Sequence, residues 1–552
     1  MRGEDNFQDE NSNGSATDIR AIVHGDVLHS NPVVVNYNRY SSDNDVYVFY
    51  GSNDGIFRAI KGGYATDGAA SVQIAPGSEA WGFIPAEFLD GLNRLRKNSP
   101  IISSSFKKPY FADGSTGVYT KDTNNNGRLG DVGDKVNLYM SMRRGGRLIY
   151  GLDVNNPHDP KFLWKIDNAT AGFTELGQTW SQPKVITNLA GYPDPVLVFG
   201  AGYDPVIEDL DPATITASTA TTVTTGTGAS AVTYTRSMGR GIYVVNALTG
   251  ALLWRSLGSG TASADTAIVS GMDYAIPSDV AVIKNESGGP TNRGYVGDTG
   301  GNMWRIDFRY DSGTNSWAST LVTKIAAIGG SGAVKRKFFY PLDVVGSTNL
   351  GFDAVLAGSG DREHPFDSSV TNRFYMFKDA GSDAGPLTGT TVGNPTIVES
   401  AMFDATSNCI QDTTVCNSTA AAAAQTALNA ANGWYITLGA GEKVVGNALS
   451  LAGTTFFNTN QPSASAGGGT CGSNLGLARQ YQVSTFDATA TQADGIRSHI
   501  LAGGGYPPSP VHAIVTLNGK PVEVVLTGPI VTPPPTVTLQ SRLRKFWFKE
   551  ID

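Results

Sequence analysis

Cysteine and charge are scarce in this chain, which has three cysteines in 552 residues and only 16% charged residues. Cys409 and Cys416 lie seven positions apart in a polar stretch, a spacing that favours a small disulfide-closed loop. Cys471 would then be unpaired, although pairings that include it stay open. A local disulfide is more typical of a secreted protein than of a cytosolic one.

Long hydrophobic runs and basic clusters are missing as well. No apolar stretch has the length that crosses a bilayer, and no long Lys/Arg run accompanies the net charge of −8. This charge balance argues against nucleic acid as the main partner. Residues 1–20 are polar and carry no signal peptide, so we expect a flexible N-terminal segment in a chain that lacks an upstream region.

The sequence also has no convincing motif of a common enzyme class. None of the six histidines has the HExxH spacing, and we find neither Cys-x-x-Cys nor a convincing P-loop or G-x-S-x-G motif. His24 and His29 flank a GDVL stretch, where hydrogen bonding in a loop or core is favoured over metal binding. Asp361 to His364 form one turn, which fits a salt-bridged corner better than an acid–base pair. We therefore predict no enzymatic activity.

Glycine, proline and aromatic residues are abundant, with 66 Gly, 27 Pro, 21 Tyr and 23 Phe, a composition typical of a turn-rich β protein. Short alternating runs joined by Gly, Asn or Asp turns recur along the chain, and several end in tryptophan. We expect these hairpins to face a core on one side. Whole hairpins are predicted at 46–63, 147–166, 240–255 and 292–308, and single strands at 373–379, 454–462 and 479–487.

Hairpins that recur at intervals of tens of residues predict an all-β fold, a modified β-propeller of about seven blades over residues 21–552. Long insertions are predicted at about 205–237 and 381–432. The candidate strands for closing the ring are residues 30–37 and 543–551.

Two short helices are predicted among the strands. One covers 85–95, with Pro85 in its first turn. The other is an Ala-rich stretch that Ser418 would cap and Gly433 would end.

One polar loop, residues 121–135 (KDTNNNGRLGDVGDK), has the spacing of a calcium site. Oxygen side chains at alternate positions precede a glycine that permits a sharp turn, and calcium binds through several such oxygens. The glycine at position 133 falls where an EF-hand loop has its closing Glu, so a nearby Asp must close the site. The predicted ligands are Asp122, Asn124, Asn126, the carbonyl of Arg128, and Asp131 or Asp134. The alternative is an ordinary Asn-Gly hairpin turn.

The neighbours of this loop, 118–120 and 136–142, have β-like sequences. We therefore expect it to join two strands of a blade, where a bound metal would brace a surface loop.

Stretches along the whole chain resemble the PilY/PilC family of type IV pilus proteins. They include HGDVLHSNPVVV (24–35), GSNDGIFRAI (51–60), GSEAWGFIPAEFL (77–89), LGQTWSQPKV (176–185), MGRGIYVVNALTGALLW (238–254), IPSDVAVI (276–283), GYVGDTGGNMWRIDF (294–308), GSGDREHP (358–365), GEKVVGNALSLAGTTFFNTNQP (441–462) and CGSNLGLARQY (471–481). The resemblance implies a C-terminal modified propeller, normally preceded by a von Willebrand A-like region that this chain lacks.

The same resemblance implies a calcium-responsive adhesin and biogenesis factor at the pilus tip, on the cell surface and associated with the outer membrane. Such a protein supports pilus assembly, antagonises retraction, and promotes attachment and twitching motility. The implied partners are minor pilins of the tip complex and a host-cell or abiotic surface, and the implied bound ion is Ca²⁺.

In the calcium loop of this family, of the form Asp-x-Asp/Asn-x-Asp-x-x-x-Asp, the match places Asp122, Asn124 and Asn126 on the first three side-chain positions and Arg128 on the carbonyl. Gly130 stands where the family has its final Asp, and Asp131 follows one residue late. Fewer carboxylates predict weaker calcium binding or its loss.

Two other functions stay open. The strand–turn–strand unit that ends in Leu-Trp is similar to the repeat of quinoprotein dehydrogenase propellers, which hold pyrroloquinoline quinone and calcium. This chain has no adjacent cysteine pair of the kind those enzymes share. The third hypothesis is a purely structural propeller whose partners bind the insertions.

Overall fold

The computed structural model describes most of the chain. The described residues are 12–15, 17–19, 24–40, 45–63, 74–97, 99–103, 106–205, 223–225, 232–234, 238–284, 289–330, 335–346, 351–380, 396–412, 414–463, 475–517, 520–528 and 530–532. Cys471, the predicted closing strand at 543–551, and most of residues 1–20 lie outside them. The contacts divide the chain into two compact units, unit 1 up to Pro341 and unit 2 from Leu342 onward.

Unit 1 contains four sheets of four or five strands. The first sheet is β1 (Val33–Asn36), β2 (Val46–Gly51), β3 (Phe57–Lys61) and β4 (Glu79–Phe83), and the second is β5 (Thr116–Lys121), β6 (Lys135–Ser141), β7 (Leu148–Asp153) and β8 (Lys161–Asp167). The third has β9 (Lys184–Ile186), β10 (Val196–Gly200), β13 (Gly241–Asn246), β14 (Leu252–Leu257) and β15 (Thr266–Ile268). Between β10 and β13 in the sequence, β11 (Val223–Thr225) and β12 (Val232–Tyr234) pair as a separate two-stranded sheet. The fourth is β16 (Ala281–Lys284), β17 (Thr291–Gly297), β18 (Asn302–Asp307) and β19 (Leu321–Ala327).

Unit 2 contains two five-stranded sheets and one of three strands. The fifth sheet has β20 (Asp343–Val345), β21 (Asp353–Gly358), β22 (Arg373–Asp379), β23 (Phe403–Asp404) and β24 (Gly433–Thr437). The sixth has β25 (Lys443–Val444), β26 (Leu449–Leu451), β27 (Thr454–Gln461), β28 (Leu477–Ser484) and β29 (Ser498–Leu501), and the last has β30 (Val511–Leu517), β31 (Lys520–Thr527) and β32 (Ile530–Thr532).

Neighbouring strands in these sheets are mostly consecutive in the chain and antiparallel, as in propeller blades. The predicted all-β propeller fold is therefore confirmed, and each predicted hairpin has two paired strands, for example β2 with β3 and β13 with β14. Within the described ranges the sheets of three or more strands number seven. The prediction that residues 21–552 form one domain stays a prediction.

The prediction of a core on only one face of each hairpin is wrong for the inner sheets of unit 1. In β10, Val196 and Val198 belong to a core shared with the fourth sheet, whereas Leu197 and Phe199 belong to a core shared with the second. Alternate side chains of a strand point to opposite faces, so both faces of the third sheet are covered by neighbours.

A β-bulge beside a tryptophan recurs in the first three sheets of unit 1. Trp81, Trp164 and Trp254 are each paired with a residue of the preceding strand, and the register then skips one residue. The skipped residues are Ala80, Leu163 and Leu253. The bulge increases the local twist of the strand pair, and its repetition gives structural meaning to the repeated Leu-Trp ending in the sequence.

Tryptophan side chains also join consecutive sheets. The indole N–H of Trp81 donates to the carbonyl of Pro157 at 2.9 Å, and that of Trp164 donates to the carbonyl of Ala247 at 3.1 Å. In unit 2, the indole of Trp434 donates to the carbonyl of Thr485 at 3.1 Å. Each bond links one sheet to the next along the chain, and it satisfies a polar group that burial would otherwise penalise.

The two predicted helices are present, with different ends. A 3-10 turn at Ala86–Phe88 leads into α1 (Leu89–Lys97), and α2 spans Ser418–Ala430. The prediction that Ser418 caps α2 is wrong, because Asn417 precedes the helix and its side chain accepts the N–H of Ala420 at 2.9 Å. Gly433 likewise does not end the helix but begins strand β24, since Ala431 is the C-terminal cap.

The predicted disulfide between Cys409 and Cys416 is confirmed, with Cα atoms 5.1 Å apart. It lies in unit 2, directly before Asn417 and α2. Among the described residues, no helix combines the length and apolar character needed to cross a bilayer.

Candidate functional site

Residues 122–134 form a loop between two paired strands, as the sequence predicts. The ladder of β5 and β6 ends with Lys121 opposite Lys135. Asp134 is buried, and its two carboxylate oxygens accept the backbone N–H of Thr123 at 2.9 Å and of Asp131 at 3.0 Å. Asp134 therefore holds the two ends of the loop together.

Three side-chain oxygens in the first half of the loop accept backbone N–H groups further along. Oδ2 of Asp122 accepts from Gly127 at 2.7 Å, Oδ1 of Asn124 from Asn126 at 3.1 Å, and Oδ1 of Asn126 from Arg128 at 2.8 Å. Gly127 has a φ of +75°, which a glycine adopts without strain. These contacts fix the turn that places alternate side chains on the inside of the loop.

Asp131 lies on the same side of the loop as the two asparagines. One of its carboxylate oxygens, Oδ2, accepts the amide N–H of Asn126 at 2.8 Å and of Asn124 at 3.1 Å. These hydrogen bonds, with the charge of Arg128, lower the pKa of Asp131 below its ordinary value. The loop thus brings Asn124, Asn126 and Asp131 together, and Asp122 reaches across the turn to Gly127.

The remaining oxygen of Asp122, Oδ1, is buried and accepts no hydrogen bond. A buried carboxylate oxygen without a partner is costly, and a cation is one group that would satisfy it. Each asparagine Oδ1 keeps one lone pair after accepting its backbone N–H. These donors fit a hard cation such as Ca²⁺, provided that the two amides turn their oxygens away from the backbone and toward the ion.

Across the described ranges, no three His, Cys, Asp or Glu side chains converge in a way that would hold a metal. A cation at this loop would depend on amide and carbonyl oxygens beside the carboxylates. Such an all-oxygen set suits calcium or magnesium rather than zinc.

Two neighbouring turns hold the loop from outside, and sequence reasoning missed both of them. Asn38 donates its amide to the carbonyl of Gly127 at 2.8 Å, and Leu129 donates its backbone N–H to the carbonyl of Tyr37 at 2.8 Å. The amide of Asn155 donates to the carbonyl of Asp131 at 3.2 Å. Both outside asparagines lie in polar turns, which is the only local signal that could have marked them.

Gly130, which stands where the family motif has an acid, has a φ of +102°. A Cβ at this position would lie 3.3 Å from the carbonyl oxygen of Asn155. The backbone here is therefore suited to glycine and strained for aspartate.

The histidines noted in the sequence are held by hydrogen bonds. His24 contacts the hydroxyl of Tyr50 at 2.9 Å, and Nδ1 of His29 lies 2.8 Å from the buried carboxylate of Asp113. His364 lies 3.0 Å from Asp361, whose other oxygen accepts the N–H of Glu363 at 2.9 Å. The turn at 361–364 has the geometry of a paired corner, in agreement with the interpretation favoured from the sequence.

Comparisons with known proteins find similarity both in sequence and in structure. Over 314 residues the chain is 26% identical to the type IV pilus biogenesis factor PilY1 of Pseudomonas aeruginosa, a match that covers 52% of this chain and 21% of that protein. The crystal structure of the Pseudomonas aeruginosa PilY1 C-terminal domain superposes with a TM-score of 0.54 at 15% identity, covering 89% of this chain and 93% of that one. The chain contains a PilY1-like C-terminal domain.

The PilY1-like domain spans about a fifth of the length of the curated PilY1 that it matches. BamB from Moraxella catarrhalis is a further structural neighbour, with a TM-score of 0.30 at 12% identity over 80% of each chain. No family model matches the chain.

Proposed function

We propose that this chain is the propeller part of a type IV pilus biogenesis factor, placed at the cell surface and the pilus tip. The match over 314 residues to a protein of that function supports this proposal. The disulfide between Cys409 and Cys416 also supports it, because such bonds persist in oxidising compartments outside the cytosol.

Within that function, we propose that the loop at 121–135 binds calcium. The observation that carries this proposal is the buried Oδ1 of Asp122, which accepts no hydrogen bond at the interior of a loop lined by Asn124, Asn126 and Asp131. Asp122 would bind through Oδ1, the two asparagines through their amide oxygens, Arg128 through its carbonyl, and Asp131 through a carboxylate oxygen. Asp134, whose oxygens both accept backbone N–H groups, would close the loop.

A bound calcium ion supplies positive charge that neutralises Asp122 and Asp131 and cross-links the loop. A ligand that binds only the folded state stabilises it by about 2.7 kcal/mol at 100 times its dissociation constant. Calcium would thus hold the β5–β6 end of the second sheet in one conformation. We propose that this conformation supports pilus assembly, opposes retraction and presents the surface that adheres, with minor pilins and a host-cell or abiotic surface as partners.

Calorimetric titration of calcium into the whole chain tests the metal site. We expect saturable binding and a higher melting temperature in wild type, and neither in Asp122→Ala. Asp311→Ala is the control, because Asp311 lies in a turn outside this loop and its carboxylate likewise accepts a backbone N–H, from Gly313 at 2.9 Å. Wild-type melting that stays constant up to millimolar calcium would contradict the proposal.

The pilus function needs a separate test in the organism that makes the protein. Deleting the gene for the full-length protein should reduce surface pili, and the wild-type gene should restore them. Restoration by Asp122→Ala at the wild-type level would refute the calcium role while leaving the pilus role intact. We also propose a non-enzymatic role, and dye-linked alcohol oxidation after addition of pyrroloquinoline quinone would contradict it.

A further inference from the structure

A cavity of about 220 Å³ opens on unit 2, and none of the residues that line it belongs to the calcium loop. Two prolines, Pro365 and Pro462, and three larger apolar side chains, Phe366, Leu475 and Tyr506, line most of it. Phe366 is 68% exposed and Leu475 is 50% exposed. Large apolar side chains that gather around a concave, solvent-accessible site are typical of a binding pocket.

The side of the cavity that carries Tyr506 is held in place. The segment that carries Tyr506 is held by two hydrogen bonds, from the amide of Asn458 to the carbonyl of Pro508 at 2.6 Å and from the N–H of Gly505 to the carbonyl of Leu475 at 2.8 Å. The guanidinium of Arg362 lies 4.4 Å from the centre of the Tyr506 ring and packs against it. A pocket whose walls are already held in place loses little entropy when it binds a ligand.

The polar part of the cavity restricts the chemistry of a ligand. Asn460 lines it, and the amide nitrogen of Asn460 donates to the carbonyls of Leu475 at 3.0 Å and of Gly505 at 2.6 Å. Both N–H groups of that amide are therefore committed, and the amide can offer only its oxygen. The N–H of Gly505 is committed as well. A ligand can form a hydrogen bond with the Asn460 amide only by donating one to its oxygen. The N–H groups of Asn460 and Gly505 have no hydrogen bond left to donate to an acceptor on the ligand.

We propose that this cavity binds the indole side chain of a tryptophan on a partner protein. An indole has a flat apolar body that fits between aromatic and proline walls, and a single N–H that donates and accepts nothing. A phenol ring would bring an oxygen whose lone pairs lose their hydrogen bonds to water and gain none from the N–H groups of Asn460 and Gly505. Tryptophan is also a frequent anchor at protein interfaces, where it fills a pocket of this kind.

One more exposed apolar side chain, which we call the rim, lies close in sequence to Leu475 of the cavity, and it favours a protein over a free small molecule as the source of the indole. Leu477, two residues beyond Leu475 at the start of β28, is also exposed. A free indole would cover the cavity alone, whereas residues beside a tryptophan in a partner chain would cover this rim as well. The proposal does not depend on calcium or on the pilus function.

Ligand-observed NMR with the whole chain tests the proposal with three probes: N-acetyl-L-tryptophanamide, its 1-methylindole analogue, and the peptide acetyl-Ala-Ala-Trp-Ala-Ala-amide. We expect the first to bind with a dissociation constant on the order of 1 mM, as for a small fragment. The methylated analogue, which has no indole N–H, should bind at least about fivefold more weakly because the hydrogen bond is lost. The peptide should bind more tightly than the amide because it reaches the rim.

Phe366→Ala should weaken binding of all three probes by about tenfold, since it removes one aromatic wall. Phe162→Ala is the matched control, because Phe162 is 61% exposed on β8 of unit 1 and far from this cavity in sequence. Both variants should melt as wild type does, since each loses an exposed ring. Unchanged binding in Phe366→Ala, or equal binding of the methylated analogue, would overturn the indole assignment. Peptide binding no tighter than that of the amide would overturn the partner protein as its source.

Discussion

The indole N–H of Trp304 donates to Oδ2 of Asp298 at 2.9 Å, and both side chains are buried in the fourth sheet. Asp298 also accepts the backbone N–H of Gly300 at 2.9 Å and both the backbone and the amide N–H of Asn302. The carboxylate thus fixes the β17–β18 turn that the sequence shows as Asp-Thr-Gly-Gly. Burial raises the pKa of Asp298 to about 6, although these hydrogen bonds lower it.

This raised pKa predicts a pH dependence of stability. The folded protein keeps a proton on Asp298 that the unfolded chain releases from about pH 4 upward, so stability falls as the pH rises from about 4 to above 6. The loss should be on the order of 2–3 kcal/mol, at about 1.4 kcal/mol per pKa unit. Asp298→Asn cannot titrate, and it should be less stable than wild type because its amide N–H faces the donors from Trp304 and Asn302.

Thermal melts of wild type and Asp298→Asn across this pH range check the prediction. The gap in stability between the two proteins should narrow as the pH rises. A gap that stays constant from pH 4 to 7.5 would show that Asp298 titrates near its ordinary pKa.

Substitution of Gly130 tests the calcium loop by adding a carboxylate, whereas Asp122→Ala removes one. Gly130→Ala and Gly130→Asp both force a side chain into a φ of +102° and close to Asn155, which should cost about 1–2 kcal/mol of stability without calcium. Only the Asp variant adds a carboxylate. Calcium should therefore stabilise the Asp variant more than it stabilises wild type, whereas the Ala variant should show no such extra gain. Melting curves with and without calcium measure this, and equal calcium responses of the Ala and Asp variants would count against a metal at the loop.

Two substitutions can distinguish Asn417, which caps α2 in the structure, from Ser418, which the sequence favoured as the cap. Asn417→Ala removes the side chain that accepts the N–H of Ala420 and should destabilise unit 2 by about 1 kcal/mol. Ser418→Ala is the control and should have little effect, because alanine suits the first turn of a helix. Hydrogen exchange at Ala420 should accelerate in the first variant only, and acceleration in both would contradict the assignment of the cap.

Reduction of the Cys409–Cys416 disulfide should destabilise the segment before α2. Opening a loop of this length releases chain entropy in the unfolded state equivalent to about 2–3 kcal/mol. A melting scan with and without dithiothreitol should show the loss in wild type. The Cys409→Ser/Cys416→Ser double variant should melt at the temperature of reduced wild type and should not respond to dithiothreitol. A response in that variant would show that the loss in wild type does not come from this disulfide.

Local patterns were sufficient to predict four hairpins of this protein. The run from Val46 to Lys61 has β-forming residues on both sides of a Ser-Asn-Asp-Gly turn, and β2 and β3 pair around that turn. Turn chemistry and alternation act over a few residues, so they can be recognised in the sequence. The position of the α2 cap was missed because serine and asparagine are nearly equal as caps, and only the backbone geometry decides between neighbours.

The site was predictable only from its own loop. Asp122, Asn124 and Asn126 follow a local spacing, and the loop joins the two asparagines to Asp131. The contacts from Asn38 and Asn155 depend on which turns the sheets bring next to the loop, and no local pattern contains that information. The second role of Asp134, as the residue that closes the loop, likewise becomes visible only when its two hydrogen bonds are known.

The hydrogen bonds that tryptophan indoles make between consecutive sheets cannot form until the next sheet of a nascent chain has been synthesised. The carbonyl that accepts the indole N–H lies 76 residues further along the chain for Trp81, 83 residues for Trp164 and 51 residues for Trp434. At about 5–20 residues per second, the first two acceptors emerge from the ribosome roughly 4–17 s after their tryptophans. Throughout that interval the indole on the open side of each newly made sheet has no hydrogen-bond acceptor. A chaperone that recognises exposed aromatic side chains would have one such target on each sheet whose neighbour has not yet been made.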